Sequence, residues 1–136
     1  MTMKKLLLPF MSGFALILAG CGDPPPTPEE IVEERVMERW ERLLDRDFEL
    51  AWEYYTPGFR QTNPRFDFGR DMAARPVRWL AAELESVECE GDRCDVGVMV
   101  TYRAPGAPGP LSEIEMDRVV DEVWIRVDDD WWFSGN

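Results

Sequence analysis

The sequence contains no histidine, and its only lysines are Lys4 and Lys5. Without imidazole the chain lacks both the usual base near neutral pH and the commonest metal ligand. Cysteine is scarce, with three in 136 residues. There is no second Cys pair to complete a structural zinc set, so no metal and no cofactor are expected. No apolar run reaches the roughly 20 residues that a membrane-spanning helix needs. Acid is what the chain has in excess. Of its 15 basic residues two are the lysines, so thirteen arginines face 27 acids beyond residue 20, a formal charge of −14. Such a surface repels nucleic acid and anionic lipid head groups, which argues against both as partners.

The first twenty residues differ from the rest. Lys4 and Lys5 precede a stretch from Leu6 to Leu18 that is apolar except for Ser12. Basic start and short apolar core are the layout of a secretory signal peptide. Leu18-Ala19-Gly20-Cys21 matches a lipobox, a Leu and two small residues before Cys, and so resembles the cleavage site of bacterial lipoproteins. That resemblance implies cleavage after residue 20, diacylglycerol on the Cys21 thiol and three acyl chains in all. A single chain anchors marginally, whereas several hold stably at ~0.8 kcal/mol per buried CH₂. Four prolines within Gly22–Pro28 exclude helix and sheet and favour an extended stalk of about 20 Å. Gly22 rather than Asp follows the Cys, which in lipoproteins of this kind implies the outer membrane, facing the periplasm. The expected organisation is signal peptide 1–20, lipidated Cys and stalk 21–28, and one domain over 29–136.

Taking Cys21 for lipid leaves Cys89 and Cys94. They flank Glu90-Gly91-Asp92-Arg93, which reads as a hairpin turn whose base brings two cysteines within bridging distance. In an oxidising compartment they are expected as a disulfide. So short a loop contributes about 2 kcal/mol.

Glu29 to Asp45 reads as an amphipathic helix, with Val32, Val36, Trp40 and Leu43/Leu44 on one face. Glu33, Glu34, Glu38, Arg39, Glu41 and Arg42 fill the other. Thr27 is its expected N-cap. Glu38 suits either Arg42 or Arg35, and the spacing does not choose. A second helix is expected from Asp47 to Tyr55, a further turn over Phe59 to Asn63, and a weaker helix from Phe66 to Ala74 interrupted by Gly69. From Val77 the pattern turns to strand. Ala81-Ala82-Glu83-Leu84 also fits a helix, and a change of phase between Leu84 and Val87 predicts a β-bulge. Cys94, Val96, Val98, Val100 and Tyr102 alternate cleanly. Ala104 to Pro110 is a loop. Glu113 to Val127 is a long strand whose apolar phase changes midway, from Ile114 and Met116 to Val119, Val123, Ile125 and Val127. Asp128-Asp129-Asp130 reads as a turn rather than a calcium loop, and Trp131 to Ser134 as a last strand.

Helices followed by long bent antiparallel strands resemble the nuclear-transport-factor-2-like superfamily. Three segments carry the likeness: Trp40 to Trp52, Tyr55-Thr56-Pro57-Gly58-Phe59-Arg60, and Glu122–Val127 with Asp130–Phe133. The resemblance implies an α+β domain with N-terminal helices packed in a strongly curved, cone-like antiparallel sheet. It resembles in particular the uncharacterised lipoproteins of that superfamily. Enzymes of the superfamily use a carboxylate or His base inside the cone, with a Tyr or protonated Asp as donor. The absence of His removes the dehydratase-type His–Asp pair. Asp121 and Glu122 are the candidate bases, but a solvated strand face or bulge is the reading their positions favour. All six tryptophans lie beyond residue 20. Core filling accounts for most of them, while Trp52, Tyr55, Trp79, Tyr102 and Trp124 are candidates to line a cone that takes a small apolar ligand. The expected function is a membrane-anchored, non-catalytic interaction or accessory module with an envelope protein partner. A carrier of an apolar ligand and an isomerase- or dehydratase-type enzyme are the alternatives.

Overall fold

A computed structural model describes residues 20–106 and 113–135. Residues 1–19 of the expected signal peptide, with Leu18 and Ala19 of the lipobox, lie outside the described residues, as does the 107–110 part of the expected loop. Residues 20–27 form neither helix nor strand, and Cys21 is exposed with a free thiol.

The first helix, α1 (Pro28–Leu44), begins at a capping box. The Thr27 hydroxyl accepts from the Glu30 amide, and the Glu30 carboxylate accepts from the Thr27 amide at 2.8 Å. Two of the helix's orphan donors are thereby satisfied. Its far end is a Schellman turn: Arg46 donates to Leu43 O at 3.2 Å and Asp47 to Arg42 O at 2.8 Å. Arg46 takes φ 63°, a conformation that glycine usually supplies.

Helix α2 (Phe48–Ala51) tightens into a 3₁₀ turn, Trp52–Tyr54, instead of continuing as α-helix to Tyr55. The cause lies in the next residues. Tyr55 is extended and bridges Phe133, and the Thr56 amide donates to Phe133 O at 3.0 Å. Helix α3 (Pro57–Thr62) follows, capped by the Thr56 hydroxyl, then α4 (Arg65–Ala73). Gly69 does not interrupt α4. It lets that helix approach α2 closely, since a Cβ there would stand 2.9 Å from Glu49 Cγ.

Four antiparallel strands make one sheet in sequence order: β1 (Arg78–Glu90), β2 (Arg93–Pro105), β3 (Glu113–Val127) and β4 (Asp130–Phe133). The Ala81–Leu84 segment is strand, with Ala82 and Leu84 turned inward, so its helical alternative is set aside. Register shifts fall between Trp79 and Ala81 and between Leu84 and Ser86. At the second, Glu85 and Ser86 are both exposed before Val87 and Cys89 turn inward again. These bulges bend the strand. β2 runs on to Pro105, one residue past the expected start of the loop. β2 and β3 pair without any shift, so the expected change of phase in β3 does not occur. Val120, Glu122 and Trp124 face inward throughout, and Val119, Val123, Ile125 and Val127 belong to the other face.

Both two-residue hairpin turns have their own backbone logic. Gly91 takes φ 59° between the paired Glu90 and Arg93. Asp128 and Asp129 both take positive φ, 51° and 67°, between the paired Val127 and Asp130. Positive φ at both central residues is the type I′ turn that matches strand twist. Cys89 and Cys94 are direct cross-strand partners at the first hairpin and form a disulfide.

The sheet bends far enough for α1 to touch both of its edges. Trp40 of α1 meets Trp79 of β1 edge to face at 6.0 Å, and the Arg35 Nε donates to Trp131 O of β4 at 2.6 Å. Val32, Val36, Trp40 and Leu43 pack there against Val96, Val98, Val100, Trp124 and Phe133. Fully burying side chains of this size stabilises by ~1.5–3 kcal/mol each.

Candidate functional site

A charged pair sits inside this core. Arg39 is 4% exposed and Glu122 2%. Arg39 falls on the buried stripe of α1, one helical turn from Val36 and Leu43, and not on the solvated face that its charge suggests. Glu122 alternates with Val120 and Trp124 on β3, so the solvated-face reading of this residue is overturned. Asp121, one position away, is exposed.

Glu122 is the hub of the arrangement. Its Oε1 accepts from Arg39 Nη1 at 2.9 Å and from Trp40 Nε1 at 2.8 Å, and its Oε2 accepts from Trp124 Nε1 at 2.9 Å. Arg39 Nη2 donates to the Tyr55 hydroxyl at 3.0 Å, and its guanidinium lies 3.9 Å above the Phe133 ring. Only Arg39 Nε is buried without a partner in this group. A buried carboxylate has to be paired and hydrogen-bonded or its desolvation is prohibitive. Here one cation and two indole N–H groups supply that.

Beside the hub is a cavity of about 220 Å³ lined by Arg39, Trp40, Tyr55, Trp79, Glu122 and Phe133, among others. Of the five aromatics expected to line a cone, Tyr55 and Trp79 do so. Trp124 is fully enclosed behind Glu122 and turns its N–H to that carboxylate. Tyr102 pairs with Trp79 and Met116 in the sheet but does not border the cavity. Trp52 lies outside the cone, because its indole donates to Asn63 O at 2.6 Å. Tyr55, Met72, Arg75 and Gly135 border both this cavity and an open groove of about 550 Å³ along α3 and α4. Among the described residues no group of three or more His, Cys, Asp or Glu is placed to hold a metal ion.

Three acid–base groups on the outer surface are perturbed: Tyr54, Asp95 and Arg93, the last raised by its hydrogen bond to Asp95. Burial, followed by the hydrogen bond to Glu38 at 3.1 Å, raises the Tyr54 phenol above its ordinary value. Glu38 is thus engaged by Tyr54. The hydrogen bond from Arg93 lowers Asp95.

No family model matches this chain, and no curated protein matches it. Solved structures do. A SEC-C motif containing protein from Rhodopseudomonas palustris superposes with a TM-score of 0.57 at 19% identity, over 75% of this chain and 73% of that one. An NTF2-like dehydratase family member from Streptomyces avermitilis gives 0.52 at 17% identity, over 76% and 90%. A second SEC-C motif containing protein, from Psychrobacter arcticus, gives 0.54 at 9% identity, over 81% of this chain and 62% of that one. At these identities the likeness is one of fold. The architecture is α+β with a four-stranded antiparallel sheet and agrees with the NTF2-like fold.

Proposed function

We propose that this chain is an envelope lipoprotein held by lipid on Cys21, and that its NTF2-like domain is a non-catalytic interaction or accessory module. The observation that carries the second half is the state of Glu122. A general base must reach a substrate proton within about 3 Å. This carboxylate is instead turned to Arg39, Trp40 and Trp124, which neutralise and enclose it. The adjoining cavity of about 220 Å³ is smaller than the ~300–1,000 Å³ usual for small-molecule sites. Support for the anchor is the exposed Cys21 ahead of a proline-rich segment that is neither helix nor strand, together with the lipobox pattern.

The test is crosslinking and affinity capture from membranes, comparing the wild-type chain with Cys21→Ala, alongside acyl-chain labelling. The reading expects labelling and membrane retention that Cys21→Ala abolishes, and an envelope protein captured only by the anchored form. Absence of any enriched partner in either form overturns the interaction role. Unchanged labelling in Cys21→Ala overturns the anchor. A second reading, a carrier of a small apolar ligand, draws support from the route that Tyr55, Met72, Arg75 and Gly135 share between groove and cavity. Saturable quenching of tryptophan fluorescence by an apolar ligand would favour it.

A further inference from the structure

Outside the cone, arginines and aromatic rings alternate along one cleft. Arg35 lies over Tyr54 at 5.2 Å and over Trp132 at 5.0 Å. Arg60 lies over the same Trp132 ring at 4.8 Å and over Trp52 at 5.4 Å. Arg65 lies over Trp52 at 5.1 Å. The cleft lined by Arg35, Tyr54, Arg60, Arg65 and Trp132 has a volume of about 370 Å³ and also includes Glu38 and Glu53.

Two like charges stacked on one indole repel each other, and in a chain with a large acid excess nearby carboxylates are the expected remedy. Two line the cleft, but among the described residues neither forms an ion pair with Arg35 or Arg60. Glu53 pairs with Arg65, and Glu38 accepts from the Tyr54 hydroxyl. Arg35 uses its Nε on Trp131 O, which leaves the two terminal nitrogens of its fork. Among the described residues the Arg60 side chain makes no hydrogen bond or ion pair, and its Nε is buried without a partner. The rings hold both guanidinium planes in place, so an incoming anion would meet preorganised donors at a low entropy cost.

We propose that the cleft between Arg35 and Arg60 binds a phosphate-type anion, as free phosphate or as the phosphate group of an ester. Two arginine forks suit a tetrahedral oxyanion, whose oxygens accept bidentate, charge-assisted hydrogen bonds. The three arginines of the cleft outnumber its two carboxylates, so a net positive charge remains to attract an anion. This site shares no lining residue with the cavity beside Glu122. It therefore stands or falls independently of the function proposed above.

The test is calorimetric titration of the full chain in detergent with inorganic phosphate, and separately with glycerol phosphate, at low and constant ionic strength. Saturable binding is expected, weakened about tenfold by Arg60→Gln and by Arg35→Gln, the loss of one charge-assisted contact in each case. Arg60→Lys keeps the charge but loses the fork and should fall between Gln and wild type. Arg103→Gln, on the exposed strand pair beside Glu115, should leave binding unchanged. The Trp132 indole N–H resonance should shift with the same saturation curve. Tighter binding of the ester identifies an esterified ligand, and equal binding identifies the free ion. Either outcome supports the site. Absence of saturation, saturation indifferent to both Gln variants, or equal competition by chloride overturns it. Far-ultraviolet circular dichroism of each variant checks that a loss is not unfolding.

Discussion

Replacing Glu122 by Gln tests whether the buried hub is as central as its geometry implies. The substitution changes one oxygen for an amide nitrogen and leaves the volume almost the same. Its carbonyl can still accept from Arg39 and Trp40, which share Oε1. The new NH₂ then faces the Trp124 N–H, donor against donor. Arg39 also becomes a buried cation with no counter-charge. Removing one member of a buried ion pair costs about 3–5 kcal/mol, and the retained carbonyl puts this case near about 3 kcal/mol. For a domain of this size that is a fall in Tm of about 12 °C. Urea unfolding followed by tryptophan fluorescence reads the same loss as a lower midpoint with an unchanged slope. The decisive comparison adds Arg39→Met to Glu122→Gln. Met keeps an apolar contact on Phe133 and removes the orphaned charge, so the double variant should be about 2 kcal/mol more stable than Glu122→Gln alone. Coupling of that sign marks direct interaction. A Glu122→Gln cost below about 1 kcal/mol, or a cycle without coupling, refutes the assignment.

Three further outcomes are expected. Reducing the Cys89–Cys94 disulfide, or replacing both by Ala, should cost about 2 kcal/mol on the loop-entropy account, seen as a lower urea midpoint with the fold kept. Arg46→Gly should stabilise by about 0.5–1 kcal/mol, because glycine takes the left-handed C′ position of a Schellman turn without strain; a gain in Tm checks it, and a loss would mean that the Arg46 stack on Phe48 outweighs the backbone. Tyr54 should ionise above its ordinary value near 10, because burial and the Glu38 carboxylate both favour the neutral phenol. With the folded pKa raised, the stability it contributes is present below the unfolded value and lost as pH rises through the folded one. Absorbance titration of the phenolates and alkaline unfolding midpoints should both change in Tyr54→Phe.

What could be read from the sequence was whatever one period of hydrophobicity could carry. Val32, Val36, Trp40 and Leu43 mark α1 because they repeat with the helix, and Cys94 to Val100 mark β2 because they alternate. The bulge near Leu84 was legible for the same reason, as a break in alternation. β3 was not, because both faces of that strand are partly covered. Val119, Val123 and Ile125 form an apolar set of one parity, and Val120 and Trp124 one of the other, so periodicity alone read a change of phase where the register has none. The register across the sheet decides it: Glu122 pairs with the buried Val96, as Trp124 does with Cys94 and Val120 with Val98.

The same reasoning explains why the hub could not be read. Arg39 and Glu122 occupy buried positions of correct spacing on α1 and β3, but charged residues count as surface in any pattern of apolar positions. They are 83 residues apart, so nothing local joins them. Their burial is possible only because Trp40 and Trp124 bring N–H donors with their hydrocarbon. A Phe at either position would fill the space and leave the carboxylate a donor short, at about 1–3 kcal/mol for each lost hydrogen bond to a buried charge. The use of tryptophan at these two positions is therefore tied to Glu122, and the core is specified by a polar contact as much as by volume. The one acid inside the sheet among the described residues therefore already has its partners, and the proposed non-catalytic role rests on that contact.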